Sequence, residues 1–401
     1  MTETLQLADQ PIAPGTLVKP LTVLQIAPAL SMGGRERTTH EVAVALRDAG
    51  GRALIVAPQT PAALRLRASG AELTAMGVDT ASPLRQRSNI RALISLIRRE
   101  RVDVVHARSR AGALIASKAA ATAGVGFVTT WDCIHGPDNF FTRPLTKALS
   151  SGRPVIAVSD FIARHLAEDH GLYADRVVTI PRGADMDVFA EEVVSPARAV
   201  HQAQAIGLAE DPRPVILSPG RMVEGKGRRV LIAAAARLKT LREAADFSCV
   251  IVGDGDPAHA AMLEEEIMRA GAGDVVRVAG PVSDMAAALK LSAIVVAPST
   301  APETAARVII EAQAMGRPVV GTNHGAMPDM MKGGESGWLI PPGDVEALAT
   351  ALSEALDMDE SARAHIGVAG RALVRSRYTL ATMLAETMAV YEQAAGRTDP
   401  R

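Results

Sequence analysis

Short apolar runs alternate with helical patterns along most of the chain. In the first half the apolar runs predict strands at 21–27, 53–57, 102–106, 127–130, 155–158 and 177–180. Between them, apolar residues recur at helical spacing around 61–69, 89–100, 111–123, 141–150 and 160–170. Residues 190–212 break the alternation with no clear strand, and the domain boundary is expected there. The pattern then restarts. Strands are expected at 215–218, 249–252, 275–279, 294–297, 319–321 and 338–340, and helices at about 227–242, 257–271, 283–291, 304–316 and 344–356. A last helical stretch, 360–395, follows no further strand. Such alternation is the mark of a parallel sheet covered on both faces. The expected class is α/β, with two Rossmann-like doubly wound domains facing a central cleft. A ligand would sit at the carboxyl ends of the strands.

Composition narrows this picture. The chain has 401 residues, more than one compact domain usually holds. With 48% hydrophobic and 22% charged residues it can build sizeable cores and is not globally disordered. A net charge of −1 makes no case for a nucleic-acid partner. Two cysteines, Cys133 and Cys249, cannot make a disulfide framework and fit a reducing cytoplasm. No run reaches the ~18 apolar residues a membrane-spanning helix requires. Residues 1–18 lack a basic region followed by an apolar one, so they read as a loose tail rather than a signal peptide. Charge is uneven, however. Residues 60–155 carry fourteen Lys and Arg against six Asp and Glu, an excess of +8. Solvated helix faces are one reading; attraction to an anionic membrane surface or an anionic acceptor is the other.

Three stretches carry candidate chemistry. The first strand is followed by Ser31, Met32, Gly33 and Gly34 and then a helix, half of a nucleotide-binding unit. The loop is not G-x-G-x-x-G, which gives little support to a dinucleotide cofactor. The second half opens on 220–227, GRMVEGKG, between a strand and a helix. Seven of these eight positions fit the P-loop pattern. The last does not, because Gly227 stands where the magnesium-binding hydroxyl would be. A triphosphatase is therefore a competitor, yet Arg221 and Lys226 can serve a diphosphate directly, with no metal. The third stretch is 297–325, with Glu303 at a helix mouth and Glu311 within the helix. Were all eight steps helical, the two carboxylates would lie roughly 12 Å apart, about the reach of a folded sugar nucleotide. The N–H groups of Ala305, Ala306, Arg307 and Val308 suit a diphosphate. The nine histidines show no zinc pattern and no Gly-x-Ser-x-Gly occurs. Asp103 and His106 flank a strand end, where a core or supporting role is as good a reading as any.

Taken together, these stretches resemble the retaining glycosyltransferases of family 4, with the two-domain GT-B fold, over about residues 20–395. The resemblance is carried by the 31–34 loop, 154–189, 220–227 and 297–343 with its Glu303-x7-Glu311 spacing. It implies that Gly33 and Gly34 approach the donor diphosphate, that Gly220 opens the loop from which Arg221 and Lys226 bind it, that Glu303 touches the transferred sugar and that Glu311 takes the ribose hydroxyls. It also implies no divalent cation and no other cofactor, only a nucleotide-sugar co-substrate, with the anomeric configuration kept. Three positions depart from the family. Thr304, Ala305 and Ala306 replace an aromatic and a glycine, Asp329 replaces a glutamate, and Asp132 stands where a histidine usually follows the strand at 127–131, with His135 three residues on. Asp132 is then a candidate base or orienting group, and His135 a candidate replacement for the missing imidazole. The implied organisation is a tail (1–18), an acceptor-binding domain (19–195), a nucleotide-sugar-binding domain (196–375) and a final helix crossing back to the first domain (376–401). The implied activity is cytoplasmic glycosyl transfer to a lipid-linked or lipopolysaccharide-type glycan, peripheral on the inner membrane face. The alternatives are a sugar-nucleotide epimerase or phosphorylase-like enzyme of the same fold, and a non-catalytic sugar-nucleotide-binding protein.

Overall fold

The computed structural model describes residues 19–27, 34–60, 63, 70–243 and 245–396. The predicted tail, the loop residues 31–33 and, except for Ala63, the helix expected at 61–69 lie outside these. The strands are β1 (Thr22–Ile26), β2 (Arg52–Ala57), β3 (Glu72–Ala75), β4 (Val104–Ala107), β5 (Gly126–Trp131), β6 (Val155–Ala157), β7 (Val177–Thr179), β8 (Val215–Pro219), β9 (Ser248–Val252), β10 (Val276–Gly280), β11 (Ile294–Ala297), β12 (Val319–Thr322) and β13 (Gly337–Ile340). The helices are α1 (Gly34–Asp48), α2 (Pro83–Arg99), α3 (Arg110–Ala123), α4 (Arg143–Leu149), α5 (Asp160–His170), α6 (Pro196–Ala205), α7 (Arg228–Leu241), α8 (Pro257–Arg269), α9 (Met285–Leu291), α10 (Arg307–Ala314), α11 (Met327–Met330), α12 (Val345–Asp357), α13 (Glu360–Arg377) and α14 (Leu380–Gly396).

The chain divides into two compact units. The first holds Met1–Ala157, His165–Ile180 and Ala381–Arg401; the second holds Val158–Arg164 and Pro181–Leu380. Each is built on one wholly parallel sheet with helices packed on it. The first sheet runs β3-β2-β1-β4-β5-β6-β7 and the second β10-β9-β8-β11-β12-β13. Strand order therefore reverses between β1 and β4 in the first unit and between β8 and β11 in the second. These are the switch points where ligands of such sheets collect. The strand interiors are sealed on both faces, as parallel sheets require: every residue of β4, β8, β9, β11 and β12 is buried.

Four local outcomes differ from the sequence reading, each with a physical reason. The edge strand β3, sequence ELTA, has no fully buried residue and so gives no apolar run. Helix α2 starts at Pro83, six residues early, because Ser82 accepts the Arg85 N–H and proline suits the first turn. The stretch 360–395 is two helices. It breaks where the Tyr378 carbonyl accepts the Ala184 N–H (2.8 Å) and the Leu380 N–H donates to the Ala184 carbonyl (2.8 Å), drawing the backbone out of the helix. The divide between units falls at Ile180, ahead of 190–212. That stretch contains α6, and its Val194, Ile206 and Leu208 are buried in the second unit's core.

The second unit also carries an acid-sensitive clasp. Asp211 accepts from Arg213 Nε (2.8 Å) and from Nη2 of Arg213 and of Arg277 (both 2.9 Å), which ties the approach to β8 to β10. The hydrogen-bonded Arg213 guanidinium holds the Asp211 carboxyl well below the usual carboxylate range. The ionised form is thus favoured in the folded state. Its contribution is fully present above the ordinary carboxylate pKa of about 4 and drains away as pH falls below that. Asp211→Asn is expected to cost about 2 kcal/mol at neutral pH, the scale of charge-assisted hydrogen bonds, and less at pH 3, where the unfolded chain already binds the proton while the folded carboxylate stays ionised. Denaturant melts at the two pH values check this; an equal loss at both would disprove it.

Candidate functional site

The clearest constellation lies in the second unit, at the β8–β11 switch point. After β8 the chain turns through Gly220 and Arg221, runs along the loop after β9, and closes in a short 3-10 turn, Glu224–Lys226, before α7. The Met222 N–H donates to the Asp254 carbonyl (2.8 Å), and the Gly220 N–H to the Val252 carbonyl (3.0 Å). Gly253 makes this approach feasible, since its φ is 149° and a Cβ would collide with the Gly220 carbonyl. On the other side, the Gly225 carbonyl accepts the N–H groups of Thr300 (3.0 Å) and Ala301 (3.1 Å) from the loop after β11. Gly227 ends the turn at φ 67°, and a Cβ there would run into the Pro298 carbonyl oxygen. A P-loop serine or threonine cannot stand at this position, which removes the structural basis of the triphosphatase reading.

This clasp brings Lys226 to Glu303. Lys226 Nζ donates to Glu303 Oε1 at 2.5 Å, and Ser299 Oγ donates to the same oxygen at 2.6 Å. Both charged side chains are only partly exposed, 25% and 15%. The Glu303 carbonyl accepts the Ala326 N–H (2.7 Å), which fixes its backbone. The loop is completed by His324 and Thr322, whose Nε2 and Oγ1 reach the Ser299 carbonyl at 2.9 and 3.1 Å. Arg221 lies on the exposed edge of the same loop.

Glu303 is not helical. Helix α10 begins at Arg307, so the two glutamates do not share a helix and the eight-step spacing does not apply. Glu311, in the second turn of α10, is 5% exposed. Ala306 is buried, with Ala305 and Val308 packed against the same core, so these three offer backbone rather than side chains. The N–H of Arg307 donates to the Ala305 carbonyl at 2.9 Å, leaving it engaged rather than offered to a diphosphate.

Sequence reasoning missed Arg228, the first residue of α7. Its side chain is 2% exposed, with Nη1 on Ser218 Oγ and Nη2 on the Gly220 carbonyl at 3.0 Å. Burial pulls its pKa down to about 10, still well above neutrality. Burial likewise pushes the Cys249 thiol up to about 12. A positive charge therefore underlies the loop that carries Arg221 and Lys226. No motif signals it, because an arginine at a helix start reads as a surface residue.

The remaining predicted site residues lie in the first unit. Gly34 opens α1; Gly33 lies outside the described residues. Asp132 and His135 follow β5 and are half-buried. His135 stands edge-on to the buried Trp131, ring centroids 5.2 Å apart, with its nitrogens 3.7 and 3.8 Å from Cys133 Sγ. Trp131 also meets His170 at 4.7 Å, whose pKa is lowered by burial and then by His165. Asp103 and His106 take structural roles. Asp103 Oδ2 accepts the Thr22 N–H (2.7 Å), and His106 bridges Tyr391 Oη (2.6 Å) and Thr130 Oγ1 (2.7 Å). Among the described residues no three His, Cys, Asp or Glu side chains are grouped to hold a metal ion, and no helix is long and apolar enough to cross a membrane.

Comparison with known proteins agrees with this architecture. The sequence model described as "Glycosyltransferase Family 4" matches residues 32–188, and that described as "Glycosyl transferases group 1" matches residues 213–358. The chain is 32% identical over 247 residues to the phosphatidyl-myo-inositol mannosyltransferase of Mycobacterium leprae (strain TN), covering 60% of this chain and 59% of that protein. It thus spans about three fifths of the length of that relative. Among solved structures, a glycosyltransferase from Rickettsia africae ESF-5 superposes with a TM-score of 0.85 at 28% identity, over 94% of this chain and 98% of that one. The Anabaena protein Alr3699/HepE, solved with UDP and glucose, has the same fold, with a TM-score of 0.80 at 22% identity over 92% of this chain and 99% of its own. The chain belongs to glycosyltransferase family 4, and its two Rossmann-like units are those of the GT-B fold.

Proposed function

We propose that this protein is a retaining, metal-independent glycosyltransferase that moves a sugar from a nucleotide-sugar donor to a lipid-linked or lipopolysaccharide-type glycan. The observation that carries this reading is the Lys226–Glu303–Ser299 cluster at the switch point of the second sheet. Arg221 and Lys226 take the donor diphosphate, with Arg228 beneath the Gly220 loop. Lys226 then exchanges Glu303 for phosphate oxygens, which frees the Glu303 carboxylate to accept from a hydroxyl of the transferred sugar. Glu311 takes the ribose, and the backbone N–H groups of Ala305, Ala306 and Val308 line the diphosphate. In the reaction the bond from the anomeric carbon to the diphosphate oxygen breaks, and a bond to an acceptor hydroxyl oxygen forms. The hydroxyl proton passes, directly or by way of the Asp132 carboxylate, to the departing diphosphate. Cations fixed near the leaving group stabilise the charge that develops there, and a positioned acceptor does the rest. Asp132 and His135 are assigned to the acceptor side, Asp132 as the group that orients or deprotonates the hydroxyl.

The names of similar proteins support donor and acceptor class: a complex with UDP and glucose for the Anabaena protein, a phosphatidylinositol acceptor for the mycobacterial one, and colanic acid synthesis for WcaL of Escherichia coli (strain K12). Membrane proximity draws support from Phe140 and Phe141, 86% and 82% exposed and stacked edge-on, just ahead of Arg143 and Lys147. Binding to anionic vesicles is expected to weaken at least tenfold in the Phe140→Ser, Phe141→Ser double variant; unchanged binding would remove the membrane from the reading.

The deciding experiment offers UDP-, GDP- and ADP-sugars with and without glycolipid acceptors, in EDTA. Acceptor-dependent release of the nucleoside diphosphate and a product of unchanged anomeric configuration are expected. Epimerised donor without acceptor, or an activity that EDTA abolishes and magnesium restores, overturns the proposal.

A further inference from the structure

We propose that Arg228 is a positioning residue for the donor diphosphate, holding the Gly220–Arg221 peptide so that the Arg221 N–H is turned out as an unengaged donor. Arg228 opens α7, and its guanidinium reaches back under the loop that follows β8. Nη2 donates to the Gly220 carbonyl at 3.0 Å and Nη1 to Ser218 Oγ. Ser218 Oγ donates in turn to the Val296 carbonyl at 3.1 Å. One side chain thus fastens the loop to β8 and, through Ser218, to β11, the two strands between which the order of the second sheet reverses. A trans peptide is planar, with its carbonyl and N–H on opposite sides. Fixing the Gly220 carbonyl on Arg228 therefore fixes the Arg221 N–H in the opposite direction. The N–H groups on either side are taken: Gly220 donates to the Val252 carbonyl (3.0 Å) and Met222 to the Asp254 carbonyl (2.8 Å). The Arg221 N–H has no acceptor among the described residues, and Arg221 is exposed. Gly220 has a φ of 127° and no side chain, so the peptide after it can turn over unless its carbonyl is held.

The cost of this arrangement argues for a use. A buried charge is unfavourable unless it is paired. Arg228 is buried and stays charged, yet no carboxylate among the described residues pairs with it, and its Nε has no hydrogen-bond partner. Two titratable groups face it. The Cys249 thiol is neutral, because burial raises its pKa, and the Glu303 carboxylate is engaged by Lys226 and Ser299. Arg108, 3% exposed, makes the contrast: its Nε and Nη2 both go to a side-chain oxygen, Gln25 Oε1. Arg228 instead gives Nη2 to the main chain of a loop at the candidate site. The N–H that it fixes meets the charge growing on the departing diphosphate, where a donor held in place beforehand has its largest effect.

The inference rests on the donor reading above, and the experiment separates the two. Binding of UDP, GDP and ADP, each beside its own nucleoside, is measured by calorimetry on the full chain in wild type, Arg228→Met, Arg228→Lys and Arg221→Ala, with Tm followed in parallel. For the diphosphate that binds wild type, Arg228→Met is expected to weaken affinity about twentyfold and to leave the affinity of the nucleoside within twofold. Arg228→Lys keeps a cation but is too short to span Ser218 and Gly220 together, and is expected to lose about fivefold. Arg228→Met is expected to melt within a few degrees of wild type, because the buried cation leaves with the side chain; if it does not fold, Arg228→Lys decides. Added to Arg221→Ala, Arg228→Met is expected to lower diphosphate affinity by the same factor again, since the N–H of residue 221 outlasts its side chain. With donor and acceptor, Arg228→Met is expected to lower kcat at least tenfold and to change donor KM less than threefold, the mark of an interaction made chiefly in the transition state. Diphosphate affinity within twofold of wild type in both Arg228 variants, or a parallel loss of nucleoside affinity, overturns the proposal. Binding of none of the three diphosphates to wild type would sink the donor reading itself, and the role of Arg228 with it.

Discussion

Lys226→Ala is expected to lower kcat by two to three orders of magnitude, about 3 kcal/mol of transition-state stabilisation. Two losses combine. The departing diphosphate loses a cation held in place by the 3-10 turn before α7, and Glu303 loses the partner that holds its carboxylate at 2.5 Å. Ser299 remains on Glu303 Oε1 and keeps that side chain in place, so donor KM should change less than kcat. Arg221→Ala, on the exposed edge of the loop, is expected to cost about tenfold, since screening weakens exposed charges. Glu303→Gln keeps the shape and the Ser299 contact while releasing Lys226, and a double-mutant cycle with Lys226→Ala measures their coupling. Turnover by Lys226→Ala within threefold of wild type would take the diphosphate clamp out of the mechanism.

The second large effect is on folding. Gly227→Ser completes the P-loop pattern in sequence, yet it is expected to destabilise the second unit by about 3 kcal/mol, combining left-handed backbone strain with overpacking. The added Cβ meets the Pro298 carbonyl head on, and that carbonyl belongs to the loop clasped by Gly225. A loss of this size lowers Tm by roughly 10 °C for a unit of this length. Calorimetry checks it, together with an assay for nucleoside triphosphate hydrolysis, which should not appear. A melting temperature within 2 °C of wild type would mean that the two loops do not meet in solution as they do in the structure.

Much of the fold was legible because parallel strands buried on both faces read as unbroken apolar runs. Twelve such runs match strands within a few residues, and the strand they miss, β3, is an edge strand of sequence ELTA with no buried residue and no apolar run. The helix starts were less legible. Ser82 with Pro83 begins α2 early, and the helical pattern at 304–316 opens with three residues that stay out of α10. Apolar periodicity persists there because Ala305 and Ala306 pack on the core from a non-helical backbone. At the site, Lys226 and Glu303 were readable from their motifs, but their contact was not, since it depends on where Gly225 docks two loops distant in sequence. Arg108 and Arg228 were invisible as buried groups. The sequence carries 43 Lys and Arg residues, and only packing tells which of them leave water.

Helix α14 belongs to the first unit although the second unit is encoded between them. Its Tyr391 hydroxyl is the partner of His106 Nδ1 on β4, and Tyr391 itself is fully buried. During synthesis, residues up to Ile180 leave the ribosome long before this partner exists. The 200 residues from Pro181 to Leu380 must be made first, which takes about 10–40 s at ordinary elongation rates of about 5–20 residues per second. For that time the first sheet is exposed where α14 will lie, and the His106–Tyr391 hydrogen bond is still to be made. The unit translated first is thus finished last, and newly made chains depend on protection from aggregation in that interval more than the native stability of either unit would indicate.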